Sequence, residues 1–432
     1  MNEYMRPCKI IYVLLDGVGD LAHPGFGNMT PLEAAKTPNL DFLTKKGCMG
    51  NVLSVGTGIA PQSDIAVFNM LGYSFHDASY VGRGVIEAIG SGIDFKNGDL
   101  ALRGNFATVD EEYRIIDRRA GRNVNERESH ELCLSLNQSI KFNDPDATVS
   151  IVPTISHRVV IRFRHAKYAL SEKISNTDPA YSKVDGIGIA RASSDKETIL
   201  QSQAEENSEA ANRSAKLVNE FTSQALELLK DHPVNLLRSS SGLKPINGIL
   251  ARDSGNKFPN LKPMNTKYGL NIGAIVDMPV EVGISKVLGM QMFKAGDVQD
   301  YETKAAVAAE KLNDLDAVYV HIKGPDEFGH DGDWQGKKHS IEVIDSSFFG
   351  PLLRKLDIQK TLFVISGDHS TPCIKNSHSD DPVPLLLSGC NVETDGSERF
   401  TEYWGQKGRL GLMMGEQILG QLLKVRMKNK AN

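Results

Sequence analysis

Three apolar runs, 9–15, 317–322 and 361–365, are each long enough for one β-strand. Nearly continuous apolar sequence is typical of strands that are buried on both faces of a parallel sheet. The segments 302–312 and 337–348 carry apolar residues at helical spacing and predict amphipathic helices. This alternation predicts an α/β fold in which a mostly parallel sheet is covered by helices on both faces.

The composition of the chain changes at about residue 92, where charged and polar residues become more frequent. Further on, 193–229 carries small or apolar residues three or four apart and predicts a surface helix, whereas 244–264 has the prolines and glycines of a loop. We therefore expect a discontinuous core domain, residues 1–92 and 266–432, and a smaller inserted α+β domain, residues 93–265.

Length and charge limit the classes of protein to consider. A chain of 432 residues exceeds the size at which one hydrophobic core stops growing, so two domains are expected. The net charge of −5 argues against a nucleic-acid-binding protein but is compatible with a cationic pocket for a small anion. The segment before the first apolar run is short and polar, so we expect no signal peptide, no membrane span and a cytoplasmic location.

The five cysteines are Cys8, Cys48, Cys133, Cys373 and Cys390. They are odd in number and scattered, and no C-x-x-C pair occurs, which predicts reduced thiols in a cytosolic protein. Cys373 lies between two histidines, so a thiolate metal ligand is one interpretation and a small buried filler is the other.

Carboxylates and histidines follow each of the three apolar runs: Asp16 after the first, Asp326 and His330 after the second, and Asp368, His369 and His378 after the third. Ligands of open α/β sheets bind at the carboxyl ends of the strands, and one helical turn can bring residues four apart to one ion. Singly, each residue also fits a turn aspartate or a structural histidine. The same chemistry at three strand ends favours a metal site.

Ser63 follows a stretch with glycines and a proline and precedes apolar residues at helical spacing. We expect it at or next to a helix N-terminus, where backbone N–H groups and the helix dipole favour a phosphate, bound or attached to the serine oxygen. An ordinary N-cap is the alternative. No G-x-S-x-G elbow is present, but a serine without an adjacent base can still be activated as a nucleophile by direct metal coordination.

These groups are the components of a two-metal phosphoryl-transfer site, in which ions about 4 Å apart activate a hydroxyl and stabilise the transferring oxygens. Nitrogen and oxygen ligands suit zinc, manganese or magnesium. Arginines near turns after residue 92 are candidates for binding a small anion, because a guanidinium group matches phosphate and carboxylate oxygens. Most surface arginines bind nothing, so only some of them are expected to face a ligand.

Seven strings give the chain a family resemblance: LDG at 15–17, PQSD at 61–64, VGRG at 81–84, RGNFAT at 103–108, DRRAGR at 117–122, HIKGPDEFGHDGD at 321–333 and GDHSTP at 367–372. With them the sequence resembles, over nearly its whole length, the archaeal-type cofactor-independent phosphoglycerate mutases of the alkaline phosphatase superfamily. Gln62, Asp253 and Asp380 stand where that family usually has glycine, and we expect them to change the shape of loops.

The resemblance implies an alkaline-phosphatase-like core and the interconversion of 3-phosphoglycerate and 2-phosphoglycerate, in glycolysis and gluconeogenesis, through a phosphoserine on Ser63. It implies two divalent metal ions, manganese ahead of magnesium, zinc and cobalt, and no 2,3-bisphosphoglycerate. It also implies a phosphoglycerate substrate, with neither nucleic acid nor membrane as partner, and leaves a homo-oligomer open.

The resemblance also implies roles for individual residues. One ion would be held by Asp326, His330 and His378, and the other by Asp16, Ser63, Asp368 and His369. Lys323 would contact the phosphoryl oxygens, and Arg252 would grip the substrate. Further substrate-binding candidates are Asn105, Arg119, Arg122, His157 and Arg158, and His157 is also a candidate for proton transfer.

Alternative functions share these residues. A metal-dependent phosphomonoesterase, or a mutase for another phosphorylated metabolite, would use the same ligands. An inserted domain that closes over the site would exclude water and so favour a mutase over a hydrolase. A third hypothesis is a regulatory protein that binds metal and phosphate but has lost catalysis. A site that has lost catalysis would be expected to lack at least one of the candidate groups, and this sequence has all of them. A sulfatase is disfavoured because no Cys/Ser-x-Pro-x-Arg string surrounds Ser63.

Overall fold

The structure is a computed structural model that describes residues 7–74, 81–184, 187–190 and 197–427. The chain forms two compact units. Unit 1 comprises Met1–Ala78, Leu261–Asp277 and Ile284–Asn432, and unit 2 comprises Ser79–Asn260 and Met278–Gly283. Among the described residues, none of the helices combines the length and the apolar character that a membrane span requires.

The strands are β1 Lys9–Leu15, β2 Gly47–Leu53, β3 Leu100–Val109, β4 Ile115–Asp117, β5 Ala147–Pro153, β6 Arg158–His165, β7 Tyr181–Val184, β8 Ile187–Ala190, β9 Gly248–Gly255, β10 Ile272–Ile275, β11 Gln291–Met292, β12 Ala317–Ile322, β13 Thr361–Gly367, β14 Val383–Gly389 and β15 Gly411–Met414.

The α-helices are α1 Pro31–Ala34, α2 Pro38–Thr44, α3 Ser63–Met70, α4 Arg83–Ser91, α5 Glu126–Ser139, α6 Glu209–Lys230, α7 Pro233–Ser240, α8 Met264–Tyr268, α9 Pro279–Val287, α10 Tyr301–Lys311, α11 Pro325–Asp331, α12 Trp334–Ile344, α13 Gly350–Lys355, α14 Glu402–Lys407 and α15 Ile418–Arg426. A π-helical turn, Asp345–Phe349, joins α12 to α13, and short 3-10 turns lie at Pro24–Phe26, Ala120–Arg122 and Gly415–Gln417.

Unit 1 is built on an eight-stranded sheet in the order β11-β10-β12-β1-β13-β14-β2-β15. β14 runs antiparallel to both of its neighbours, and the other pairs are parallel. Every residue of β12 and β13 is buried, because helices cover both faces of the central strands. The predicted mostly parallel α/β core is confirmed.

Unit 2 is an α+β fold. Its antiparallel sheet runs β4-β3-β6-β5, and β9 pairs with β3 as well. Apolar residues of α5 and α6, among them Leu132, Leu136, Val218 and Phe221, form one buried cluster with residues of the sheet. We expected this unit to begin at residue 93, whereas α4 already belongs to it. A Cβ atom on Gly84 of α4 would lie 2.5 Å from the carbonyl oxygen of Asp253 and 2.7 Å from that of Ala101, so the helix packs directly on β9 and β3.

One local prediction in this unit, the helix 193–229, is confirmed only over α6, and another is wrong. Residues 193–196 of the predicted helix lie outside the described residues, 197–208 form no helix, and α6 begins at Glu209. Ser208 caps α6 by accepting a hydrogen bond from the backbone N–H of Ala211. The predicted loop 244–264 contains β9, which pairs with β3 and is buried along its whole length because α4 and α6 pack on it.

The expectation that all five cysteines are reduced is also wrong, since Cys8 and Cys390 form a disulfide. Cys8 precedes β1, and Cys390 follows β14 and donates its backbone N–H to the carbonyl of Thr361, at the start of β13. Because β13 lies between β1 and β14, both cysteines reach the same end of the sheet across a sequence separation of 382 residues. Cys48, Cys133 and Cys373 are free and buried.

Candidate active site

The three predicted ligand-bearing segments meet at one edge of the unit 1 sheet. β1 lies between β12 and β13, with Leu15 level with Ile322 on one side and Gly367 on the other. All three strands are parallel, so the residues that follow them emerge side by side. The apolar strands therefore position the polar residues.

A first group consists of Asp16, Asp368 and His369, all buried, with one ligand atom of each within 4.8 Å of the others. His369 Nε2 lies 3.6 Å from Asp16 Oδ1 and 3.3 Å from Asp368 Oδ2. Among the described residues, neither of those two buried carboxylate oxygens has a hydrogen-bond partner. Buried acceptors without donors are costly, and a divalent cation would satisfy both, so the group fits a metal ion.

Lys323 and His321 surround this group. Lys323 Nζ donates a hydrogen bond of 2.9 Å to Asp16 Oδ2. His321 Nε2 lies 3.8 Å from Asp16 Oδ1 and 3.7 Å from Asp368 Oδ2, and its Nδ1 is 2.7 Å from the Tyr319 hydroxyl. Sequence reasoning missed His321, although its place on β12, two residues before Lys323, was a usable signal.

The electrostatics show how crowded the carboxylates are. Burial raises the pKa of Asp368 to about 7, and the Asp16 carboxylate adds to the rise. Burial acts in the same direction on Asp16, but Lys323 and His321 outweigh it and hold the pKa of Asp16 well below its usual range. Burial, reinforced by His378, lowers the pKa of His369, so its imidazole is neutral and can act as a ligand.

A second group consists of Asp326, His330 and His378. α11 places the first two one turn apart, with His330 Nε2 3.6 Å from Asp326 Oδ2, and His378 Nε2 lies 3.5 Å from Asp326 Oδ1. Each histidine has its Nδ1 near a backbone carbonyl: that of Asn376 at 3.2 Å for His330 and that of Pro61 at 2.7 Å for His378. Nε2 of each ring is therefore left to bind a metal ion. A hydrogen bond from the other ring nitrogen to a carbonyl is usual for metal-binding histidines.

Ser63 lies beside both groups. It is the first residue of α3, Gln62 occupies the N-cap position without a side-chain cap, and Ser63 Oγ lies 3.4 Å from His369 Nε2. The rings of His369 and His378 stack with centroids 3.8 Å apart, so the two groups adjoin. Asp380 holds the loop before Ser63, accepting a 2.7 Å hydrogen bond from the N–H of Gly58.

Cys373 is in neither group. Burial, together with Asp20, raises the pKa of its thiol to about 12, so the thiolate interpretation has no support in the structure and the buried filler fits.

The remaining candidates lie in unit 2, on adjacent strands and turns. Asn105 is level with Arg158 on β3 and β6, and Arg103 is level with Arg252 on β3 and β9. Burial lowers the pKa of His157 to about 3, and the surrounding arginines contribute in the order Arg158, Arg119, Arg252 and Arg122. The structure therefore groups the six predicted residues around one strongly cationic centre.

Two partners of these arginines were missed. Asp178 is fully buried and pairs with Arg118 and with Arg252, whose Nη1 lies 2.8 Å from Asp178 Oδ2. Tyr181 lies under Arg252, with the guanidinium carbon 4.2 Å from the ring centroid. Both come from the segment between β6 and α6, where no sequence motif indicated them.

Comparisons with known proteins identify the family of the chain. A family described as 2,3-bisphosphoglycerate-independent phosphoglycerate mutase matches residues 44–235. A protein of that name from Aeropyrum pernix is 43% identical over 418 residues, covering 94% of this chain and 96% of its own. The protein of that name from Methanopyrus kandleri is 34% identical and covers 96% of this chain and 95% of its own.

Two solved structures are also similar. A protein from Pyrococcus horikoshii has a TM-score of 0.80 at 27% identity, with 99% of each chain covered. A cofactor-independent phosphoglycerate mutase from Thermoplasma acidophilum has a TM-score of 0.64 at 27% identity, with 97% of this chain and 100% of that chain covered. This chain therefore belongs to the 2,3-bisphosphoglycerate-independent phosphoglycerate mutase family.

Proposed function

We propose that the protein interconverts 3-phosphoglycerate and 2-phosphoglycerate through a phosphoserine on Ser63, without 2,3-bisphosphoglycerate, in cytoplasmic glycolysis and gluconeogenesis. The observation that carries the proposal is the position of Ser63 Oγ, 3.4 Å from His369 Nε2 and beside two groups of carboxylates and histidines. The rival regulatory function would not need a nucleophile there.

Asp16, Ser63, Asp368 and His369 would hold one divalent ion, and Asp326, His330 and His378 the other, with manganese the first candidate. Bound ions would lower the pKa of the serine hydroxyl and neutralise phosphoryl charge. Ser63 Oγ loses its proton and attacks phosphorus, the bond from phosphorus to the 3-oxygen breaks, and the 3-oxygen takes up a proton. The freed glycerate then turns, its 2-hydroxyl loses a proton and attacks the phosphoserine, and the bond from phosphorus to Ser63 Oγ breaks. Lys323, held by Asp16, supplies a positive charge for the phosphoryl oxygens.

In unit 2, Arg252 would bind the anionic substrate, together with Asn105, Arg119, Arg122 and Arg158. Guanidinium groups match both the carboxylate and the phosphate of a phosphoglycerate. The neutral imidazole of His157 can accept a proton once bound anions offset the neighbouring positive charges, which supports its candidacy for proton transfer.

The test is to incubate manganese-loaded protein with 3-phosphoglycerate, without 2,3-bisphosphoglycerate, while following 2-phosphoglycerate and free phosphate together. We expect 2-phosphoglycerate as the main product and its loss after chelation. Free phosphate as the sole product would replace this proposal with a phosphomonoesterase. No reaction in protein that binds two ions would favour the regulatory alternative.

A further inference from the structure

The hydroxyl of Thr371 connects the two ligand groups. Thr371 Oγ1 lies 2.6 Å from Asp326 Oδ1, in the second group, and 3.1 Å from His369 Nδ1, in the first group. The residue is fully buried. It belongs to the GDHSTP string, yet none of the roles described above uses it.

The directions of these hydrogen bonds follow from the inventory of donors. A threonine hydroxyl has one hydrogen, and an ionised carboxylate can only accept. The hydrogen of Thr371 is therefore donated to Asp326, and Thr371 Oγ1 accepts the Nδ1–H of His369. A neutral imidazole carries one proton, so His369 Nε2 is left unprotonated where it faces Ser63 Oγ.

The backbone around Thr371 fixes the direction of this side chain. Its N–H donates to the carbonyl of Gly19 at 3.1 Å, and its own carbonyl accepts from the buried Lys337 Nζ at 2.9 Å. Lys337 Nζ also donates to Asp20 Oδ2 at 2.8 Å, which ties the loops after β13 and β1 together.

The absence of a side chain at Gly17 leaves space for the contact between Thr371 and Asp326. A Cβ atom at this position would lie 2.7 Å from both Thr371 Oγ1 and Asp326 Oδ1, closer than real Cβ contacts allow. Its φ of +60° is also in the left-handed region that favours glycine. The chain therefore keeps the contact between Thr371 and Asp326 free of side-chain bulk.

We propose that Thr371 is a positioning residue whose hydroxyl fixes His369 in the tautomer with Nε2 unprotonated and orients Asp326, so that one side chain prepares both metal sites. The part that concerns metals rests on the proposed function, whereas the tautomer does not. Loss of the hydroxyl lets His369 take up the tautomer with a proton on Nε2, which blocks coordination, and releases the Asp326 carboxylate. A single substitution then weakens both sites.

Three variants separate this role from simple packing. Thr371→Val keeps the shape and removes the hydroxyl, and Thr371→Ser keeps the hydroxyl and removes a methyl group. Ser370→Ala is the matched control, because Ser370 is fully buried on the same loop and its Oγ has no hydrogen-bond partner among the described residues.

The first readout is nitrogen NMR of isotope-labelled histidines in the metal-free protein, with the His369 signals identified by their loss in His369→Gln. We expect the Nδ1–H tautomer in the wild type, Thr371→Ser and Ser370→Ala, and a mixture or the Nε2–H tautomer in Thr371→Val. An Nε2–H tautomer in the wild type overturns the proposal even if Thr371→Val fails to fold.

The second readout is calorimetric titration with Mn²⁺. We expect Thr371→Val to lose about 10- to 100-fold in affinity at both sites, the usual effect of removing an outer hydrogen-bond partner of a ligand, with recovery in Thr371→Ser. Unchanged affinity and tautomer in Thr371→Val overturn the inference. A wild type that shows the expected tautomer but binds fewer than two ions contradicts the proposed function instead.

Discussion

The two polar centres of this protein have opposite excess charge. In unit 1, carboxylates crowd together, and burial with Asp16 raises the pKa of Asp368 to about 7. In unit 2, arginines crowd together, and burial with those arginines lowers the pKa of His157 to about 3. Burial is the largest cause of each shift, and neighbouring charges of the same sign as the ionised group add to it. The first centre is therefore suited to cations and the second to anions.

Buried atoms without a hydrogen-bond partner occur in both centres. Among the described residues they include the acceptors Asp16 Oδ1 and Asp368 Oδ2 in unit 1, and in unit 2 the donor Arg252 Nε together with the acceptors Asn105 Oδ1 and Asp253 Oδ1. An acceptor is satisfied by a metal ion and a donor by a carboxylate or phosphate oxygen. The two acceptors in unit 1 therefore fit a metal ion, and Arg252 Nε in unit 2 fits an anionic oxygen.

The largest expected effect comes from Asp326→Asn. Removing one negative ligand should lower Mn²⁺ affinity at the second group and turnover by about 100-fold or more, because a ligand matters at least as much as its outer partners. Calorimetric titration measures the Mn²⁺ affinity, and the formation of 2-phosphoglycerate from 3-phosphoglycerate measures the turnover.

Asp146→Asn is the matched control for that substitution. Asp144, Asp146 and His165 also lie within metal-binding distance of one another. Both carboxylates already have side-chain partners, however, with Lys167 Nζ 2.6 Å from Asp146 Oδ2 and His165 Nε2 3.0 Å from Asp144 Oδ2. Asp146→Asn should therefore keep both Mn²⁺ ions and full turnover. Loss of a Mn²⁺ ion in this variant would contradict the assignment of cation binding to unit 1 alone.

Arg252→Ala tests the anionic side of the comparison. We expect KM for 3-phosphoglycerate to rise about 10- to 100-fold, the effect of losing a charge-assisted hydrogen bond, with Mn²⁺ affinity unchanged. Arg114→Ala is the control, since this arginine is half exposed and pairs with Asp110 and Glu112. An unchanged KM, or loss of metal, would contradict the separation of roles.

The double variant Cys8→Ser, Cys390→Ser should affect stability and neither centre. A disulfide that closes so long a loop stabilises a protein by about 2–4 kcal/mol. We expect a lower unfolding midpoint with unchanged Mn²⁺ affinity and KM. Dithiothreitol should lower the midpoint of the wild type but not of the double variant, and an equal response of both would show that the bond makes no contribution.

The smallest expected effect is a change in the titration of His157. Its folded pKa of about 3 lies below the unfolded value of about 6.5, so the stability contributed by the neutral ring is fully present above about pH 6.5 and is lost as the pH falls towards 3. Bound 3-phosphoglycerate should raise this pKa by offsetting the arginines. NMR titration with and without ligand measures both values, and a free-protein pKa near 6.5 would contradict the cationic centre.

Two kinds of feature could be predicted from the sequence: single strands and helices, and the meeting of polar residues at the carboxyl ends of parallel strands. β1, β12 and β13 were predictable because their runs are continuously apolar, and their polar ends meet because parallel strands share an edge. β9 was missed because its strand carries Arg252 and Asp253, whose charges are paired only in the folded unit. The disulfide and Asp178 depend on contacts between distant segments, and no spacing in the sequence reports those. His321 and Thr371 lie beside predicted residues in the sequence, but their hydrogen bonds became visible only in the structure.

The most direct test of the central claim is rapid quenching of manganese-loaded protein during turnover of radiolabelled 3-phosphoglycerate, followed by peptide mapping. We expect a phosphoryl label on Ser63, and we expect Ser63→Ala to bind metal but neither to take up label nor to turn over substrate. Label on another residue, or undiminished turnover by Ser63→Ala, would contradict it.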